Sequence, residues 1–206
     1  MKTIIDFENN KKQFTRDIVY DGIVDTEEYY SNSPKILWIL KEVNCPGDSN
    51  WDMRDALANN IKNKNGKGIK SGWANTFNPI VYATYGILNN ISWENMESVY
   101  SDQSIIDVLR KVAYINVKKE PGGSSSNPSE IKSYYNKNKA ASHEQIKLIN
   151  PDIIIFGNTL NFFDEDFFDL FEKLEKKEND SSLEVYEGEK HILLNTYHPN
   201  NRTIEQ

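Results

Sequence analysis

A single cysteine, Cys45, leaves the chain without an intrachain disulfide and without a cysteine-built zinc or iron–sulfur site. That scarcity points to a reducing, cytoplasmic setting. No apolar run approaches the roughly 20 residues that a membrane span requires, so no membrane partner is expected. The opening "MKTIIDFENNKKQF" lacks a sustained apolar stretch behind its lysine and is not expected to be a secretory signal. There is no internal repeat, no low-complexity linker and no Gly-Lys-Ser/Thr at Walker-loop spacing. With 206 residues, 38% of them apolar and 27% charged, the chain is expected to bury one substantial core as a single domain over 1–206.

The net charge of −7 argues against a nucleic-acid binder until its distribution is considered. Residues 159–190 hold 11 acids and 4 bases, which accounts for the whole excess and marks a candidate protein-binding region. Elsewhere, 60–72 ("NIKNKNGKGIKSG") has four lysines and no acid, and 110–147 has eight Lys/Arg against three Glu. A basic face with an acidic back is the expected arrangement.

Four short runs read as buried strands: "KILWIL" (35–40), "VAYINV" (112–117), "DIIIFG" (152–157) and "HILLNT" (191–196). Each is nearly continuously apolar, as expected of strands covered on both faces. Helical patterns separate them. Asn50 would cap a helix over 50–62, and 73–88 reads as a helix with a break or kink near Pro79. Asn127, Pro128 and Glu130 open one over 127–149. A fourth helix over 159–177 would bury a stripe of Phe163, Phe167, Phe171 and Leu174. Segment 178–190 reads as a surface loop or a short extra strand. The pattern predicts an α/β fold, a three-layer sandwich with a four-stranded parallel sheet between helices.

In such sheets ligands bind beyond the carboxyl ends of the strands. The first end offers Glu42, Asn44, Cys45, Pro46 and Gly47, where Pro and Gly force a sharp turn and permit close approach to the backbone. Asn116 closes the second strand and carries both a donor and an acceptor for the edge of a base. Lys118, Lys119 and the Gly-Gly-Ser-Ser-Ser loop beyond it supply charge, N–H groups and hydroxyls suited to phosphate. The fourth end leads to His198, Pro199, Asn200, Asn201 and Arg202. Of the three histidines, His198 is the functional candidate, and His143 and His191 read as structural.

Taken in order, "KEVNCPGD", "AYINVKK", "NPDIIIFGN" and "NTYHPN" resemble the motifs of the uracil-DNA glycosylase superfamily over about 35–202. That resemblance implies hydrolysis of the N-glycosidic bond of uracil or another modified base in DNA by a monomer, with no metal or cofactor. It would make Asn116 the base-reading residue and His198 the group that stabilises the departing base. Trp51, or alternatively Trp73 or Phe77, would stack on the base, with Cys45 and Gly47 beside it. Lys118, Lys119, Ser124, Ser125, Ser126 and Arg202 would contact phosphates of single- or double-stranded DNA. The best-known members carry an Asp directly before the loop proline, where this chain has Cys45. Asn44 and Glu42 are therefore both candidates for holding the attacking water. Two other readings stay open: a non-catalytic single-stranded nucleic-acid or nucleotide binding module of the same fold, and a thiol hydrolase built on Cys45 and His198.

Overall fold

The computed structural model describes residues 3–10, 14, 17–179 and 182–201. In chain order it contains α1 (Ile4–Asn9), β1 (Gly22–Ile23), α2 (Thr26–Ser31), β2 (Ile36–Leu40) and α3 (Met53–Asp55), which widens into a π-helical turn at Ala56–Asn60. There follow α4 (Ser71–Asn89), a 3-10 stretch at Gln103–Lys111, β3 (Val112–Asn116), α5 (Pro128–Ile149) and β4 (Ile153–Gly157). Two short 3-10 turns, Leu160–Phe162 and Glu165–Leu170, lead to β5 (Glu175–Asn179), β6 (Leu183–Glu187) and β7 (Ile192–Thr196).

The protein is α/β, with one mixed sheet of seven strands in the order β1-β3-β2-β4-β7-β6-β5. The expected sheet of only four parallel strands is corrected. β3, β2, β4 and β7 are parallel and central, β1 runs antiparallel at one edge, and β6 and β5 add an antiparallel hairpin at the other. The added strands carry no apolar run. β1 has two residues, and four of the five residues of β5 are charged.

Alternation along the central strands divides the core into two layers. Ile36, Trp38 and Leu40 of β2 join Val112 and Tyr114 of β3 on the side covered by α4 and the 3-10 stretch. Leu37, Ile39, Ala113 and Ile115 point to the other side, where Ile131, Tyr135, Ile146 and Ile149 of α5 cover them. β2 and β3 are buried at every position, which is why they read as continuous apolar runs.

The helices match unevenly. α5 begins as expected: the Asn127 side chain accepts from the Ser129 N–H, and Pro128 stands in the first turn. α4 covers the whole of the expected 73–88 helix, as Ser71–Asn89, with Pro79 inside it and no break there. Asn50 does not cap a helix. It takes a left-handed φ of 62°, and Asp52 caps α3 by accepting from the Arg54 N–H. The helix expected over 159–177 is replaced by the two 3-10 turns and the start of β5. Asp164 is drawn to Lys132 and Lys139 of α5, at 2.5 and 2.9 Å, and Asp is a poor helix interior residue. Phe163 and Phe167 still enter the core, with ring centroids 4.5 Å apart. Among the described residues no helix is long and apolar enough to cross a membrane.

Candidate functional site at the strand ends

β2, β3, β4 and β7 deliver their carboxyl ends to one rim of the sheet. Leu40 pairs with Asn116, and Gly157 with Thr196. Beyond the rim, the loops after β2 and β3 stay zipped together. Val117 N–H donates to Leu40 O (2.8 Å), Lys118 N–H to Lys41 O (2.9 Å), Gly122 N–H to Val43 O (2.8 Å) and Cys45 N–H to Gly122 O (3.2 Å). The glycine-serine stretch is thus anchored at Gly122. Gly123, Ser124 and Ser125 are exposed and Ser126 is half-buried.

The first loop turns at Cys45–Asp48. The Asp48 N–H donates to Cys45 O (3.1 Å), and Gly47 has φ +75°. Pro followed by a positive-φ Gly is the pattern of a type II turn. Asn44, Pro46 and Gly47 are exposed at its tip. Cys45 is partly buried, and its thiol lies 3.7 Å from Val43 O. Burial pushes that thiol up, and Asp48 adds to the shift against the opposing Trp51 indole N–H. A thiolate nucleophile needs the reverse.

Asn116 is 2% exposed. Its backbone N–H donates to Asp21 Oδ2 (2.8 Å), and its Oδ1 lies 3.5 Å from the Tyr114 hydroxyl. Its side-chain Nδ2 is buried with no partner among the described residues. A buried amide that keeps a free donor is unusual and calls for an explanation. On the same side of the sheet an aromatic chain runs from Trp51 to Trp73 (centroids 6.3 Å), Phe77 (5.5 Å) and Tyr114 (5.6 Å). Trp51 and Trp73 are partly buried against the core and Phe77 is fully so. Among the described residues no oxygen or nitrogen accepts the buried Trp51 indole N–H.

The two lysines after Asn116 do not stand free. Lys119 is 2% exposed, and its Nζ binds Asp21 Oδ1 (2.7 Å), Asp21 Oδ2 (3.0 Å) and Asn116 O (3.1 Å). The expected phosphate contact by Lys119 is corrected, because β1 brings Asp21 under it and the ammonium is enclosed. Burial lowers its pKa, with Asp21 opposing. Lys118 Nζ pairs with Glu42 Oε2 (2.7 Å) and approaches Glu130 Oε2 (3.7 Å). Burial works against that charge, but Glu42 carries it above the ordinary lysine value. Glu42 therefore has its carboxylate occupied, and Asn44 is the freer polar group on the loop. Arg202 lies outside the described residues.

His198 is partly buried in the turn after β7. Its Nδ1 accepts from the Asn200 N–H at 3.1 Å, and the Asn201 N–H donates to His198 O at 2.8 Å. With Nδ1 accepting, the neutral ring carries its proton on Nε2. Burial lowers the imidazole pKa to about 4, helped by the nearby Lys41 charge. The turn rests on Gly157: a Cβ there would lie 2.3 Å from Leu40 Cδ2, 3.0 Å from Pro199 Cδ and 3.8 Å from His198 Cα. Gly157→Ala should accordingly cost about 1–3 kcal/mol of overpacking, lowering Tm by roughly 3–10 °C in calorimetry.

His143 and His191 are structural. His143 Nε2 lies 2.8 Å from the Tyr135 hydroxyl, and His191 Nδ1 lies 2.6 Å from Glu172. Sequence reasoning missed Asp21, which holds both Lys119 and the Asn116 backbone. Its segment has no periodicity to mark it, and its lysine partner is 98 positions away. A scan against protein-family models finds no match to this chain, and neither does a search of curated proteins.

Proposed function

We propose that the protein hydrolyses the N-glycosidic bond of uracil or another modified base in DNA, acting on a nucleotide turned out of its stack. The observation that carries this reading is one rim that holds both His198, whose Nδ1 accepts from the Asn200 N–H, and Asn116, whose buried Nδ2 has no partner among the described residues. β3 and β4 flank β2, so the backbones at Asn116 and Gly157 stand about 10 Å apart, two strand spacings. Asn116 Nδ2 donates to a carbonyl on one edge. His198 Nε2–H donates to the carbonyl beside the scissile bond.

As the bond from the sugar carbon to the base nitrogen breaks, its electron pair moves onto the base and gathers on that carbonyl oxygen. A fixed neutral donor there lowers the barrier without a proton transfer. Water then adds to the sugar carbon, and its proton passes to the departed base anion, giving the free neutral base. Asn44, exposed on the turn before Pro46, is placed to orient that water. The exposed Ser124 and Ser125 and the half-buried Ser126 form the phosphate-facing side.

A second reading is a binding module with the same architecture. It is favoured by Cys45 at the position before the proline and by the capture of Glu42 by Lys118, which leave the water without an obvious base. A single-stranded oligonucleotide with one uracil separates the two. Strand cleavage after alkali supports base excision, whereas salt-sensitive binding with no release supports the module. The raised Cys45 thiol disfavours a thiol hydrolase, and alkylation of Cys45 tests that directly.

The pH profile of base release carries a further expectation. His198 must be neutral, and its pKa is near 4 rather than 6.5. The acid limb of kcat/KM should therefore stay flat from pH 8 to about 5 and fall as pH approaches 4. A break between 6 and 7 that disappears in His198→Gln would show the imidazole to be unshifted and this account of it wrong.

A further inference from the structure

The lysine-rich 60–72 segment is not used by the strand-end site, and the fold gives it a definite shape. Asn63 N–H donates to Gly68 O (2.9 Å) and Lys70 N–H to Ile61 O (3.0 Å), and Lys62 bridges antiparallel to Ile69. The segment is a closed hairpin, with Asn63–Lys67 exposed at its tip. Lys62 is neutralised by Asp107 at 2.6 Å. Lys64, Lys67 and Lys70 make no ion pair among the described residues, in a protein whose net charge is −7.

Beside them lies a flat apolar surface. Gly68 has φ +78°, and a Cβ on it would meet the Tyr100 ring at 2.7 Å, so Tyr100 lies against the hairpin backbone with half of its surface open. The hairpin runs directly into α4, whose third residue is Trp73, the ring that touches Trp51 beside the first loop. Unpaired cations and an open aromatic ring thus stand just before the helix whose first turn carries Trp73. The acids of the neighbouring segment define the limit of this surface. Asp102 and Asp107 face Lys62, and Glu94 and Glu97 accompany the exposed Trp93, which is therefore left out of it.

We infer that the 61–70 hairpin and Tyr100 form a binding surface for single-stranded polynucleotide, which leads the strand into the rim site. Lys64, Lys67 and Lys70 meet successive phosphates, and Tyr100 offers a face on which one base stacks. This combination tolerates any sequence, because every base has a face to stack and every nucleotide a phosphate. A duplex fits less well, since its bases are already stacked on one another. The inference rests on the proposed function for the identity of the ligand, not for the character of the surface.

The test is anisotropy with a fluorescein-labelled 15-mer of thymidylate, free of uracil, over a range of salt concentrations. Lys64→Glu with Lys67→Glu should weaken binding at least ten-fold at low salt. It should also flatten the slope of log affinity against log salt by about 1.4, as two lost phosphate contacts on a single strand would. Tyr100→Ala should weaken binding about ten-fold with the slope unchanged. Lys173→Glu with Lys190→Glu, on the acidic side, changes net charge equally and should change nothing. Unaltered binding in the hairpin variants, no binding by the wild type, or a duplex bound as tightly would each overturn the inference. Lost binding in the hairpin variants, together with no uracil release by the wild type on a substrate strand, keeps the inference and removes base excision alone.

Discussion

His198→Ala should lower the proposed base release at neutral pH by about 100- to 1,000-fold, the effect of removing one preorganised donor from a developing oxyanion. The loss falls on kcat. A neutral donor is worth little to a ground-state carbonyl and much more once the departing base carries charge, so affinity for the oligonucleotide should change by less than about three-fold. His198 sits in a turn rather than in the core, and the strands beneath it are closed by Leu40, Gly157 and Pro199. The variant should fold, with a Tm within a few degrees of the wild type. His198→Gln retains a neutral N–H donor and should recover part of the rate. Equal loss in Gln and Ala would instead assign His198 a proton-transfer role. A parallel loss of oligonucleotide affinity would make it a binding residue.

Asp21→Ala should destabilise the fold by about 3–5 kcal/mol, lowering Tm by roughly 6–20 °C. One carboxylate serves three partners here: the enclosed ammonium of Lys119, the backbone N–H of Asn116 and the side-chain amide of Gln145 at 3.2 Å. Removing it strands a charge in a space that admits no more than water. Asp21→Ala with Lys119→Met removes both charges and should recover most of the stability, because a buried pair replaced by packed apolar groups is often neutral. A double variant no better than the single would mean that the Asn116 and Gln145 contacts, not the ion pair, hold this corner. Base release separates these effects again. If Asp21 fixes Asn116, the restored double variant remains slow although it is stable.

What could be read from the chain depended on the range of the forces involved. The central strands end within one residue of their expected limits, because burial on both faces leaves a run such as "ILWIL" no polar alternative. α5 was visible from its own first turn, a local signal carried by Asn127 and Pro128. The charged contacts were not local. Lys118 reads as a phosphate ligand until Glu42, 76 positions away, is seen to occupy it. Lys119 reads the same way until Asp21 arrives from the sheet edge. The 159–177 segment misled because phenylalanines spaced four apart fit a helix and also fit a chain of short turns whose acids are held by α5. His198, Asn116 and the proline loop were legible together because the parallel topology gathers strand ends that are far apart in sequence.

The two outermost strands have a consequence for how the molecule behaves in company. A sheet with a free flank can template another copy of itself, strand upon strand, into chains and eventually aggregates. At one flank β1 offers only two residues, too few to seat a guest. At the other, β5 has charge at four of its five positions, with Lys176 bound to Glu184 across the hairpin and Lys177 to Glu175. An incoming strand would have to break those pairs and bury the charges. Both flanks are thus closed to growth, one by brevity and one by charge, and crowding should not turn the seven strands into a longer ribbon.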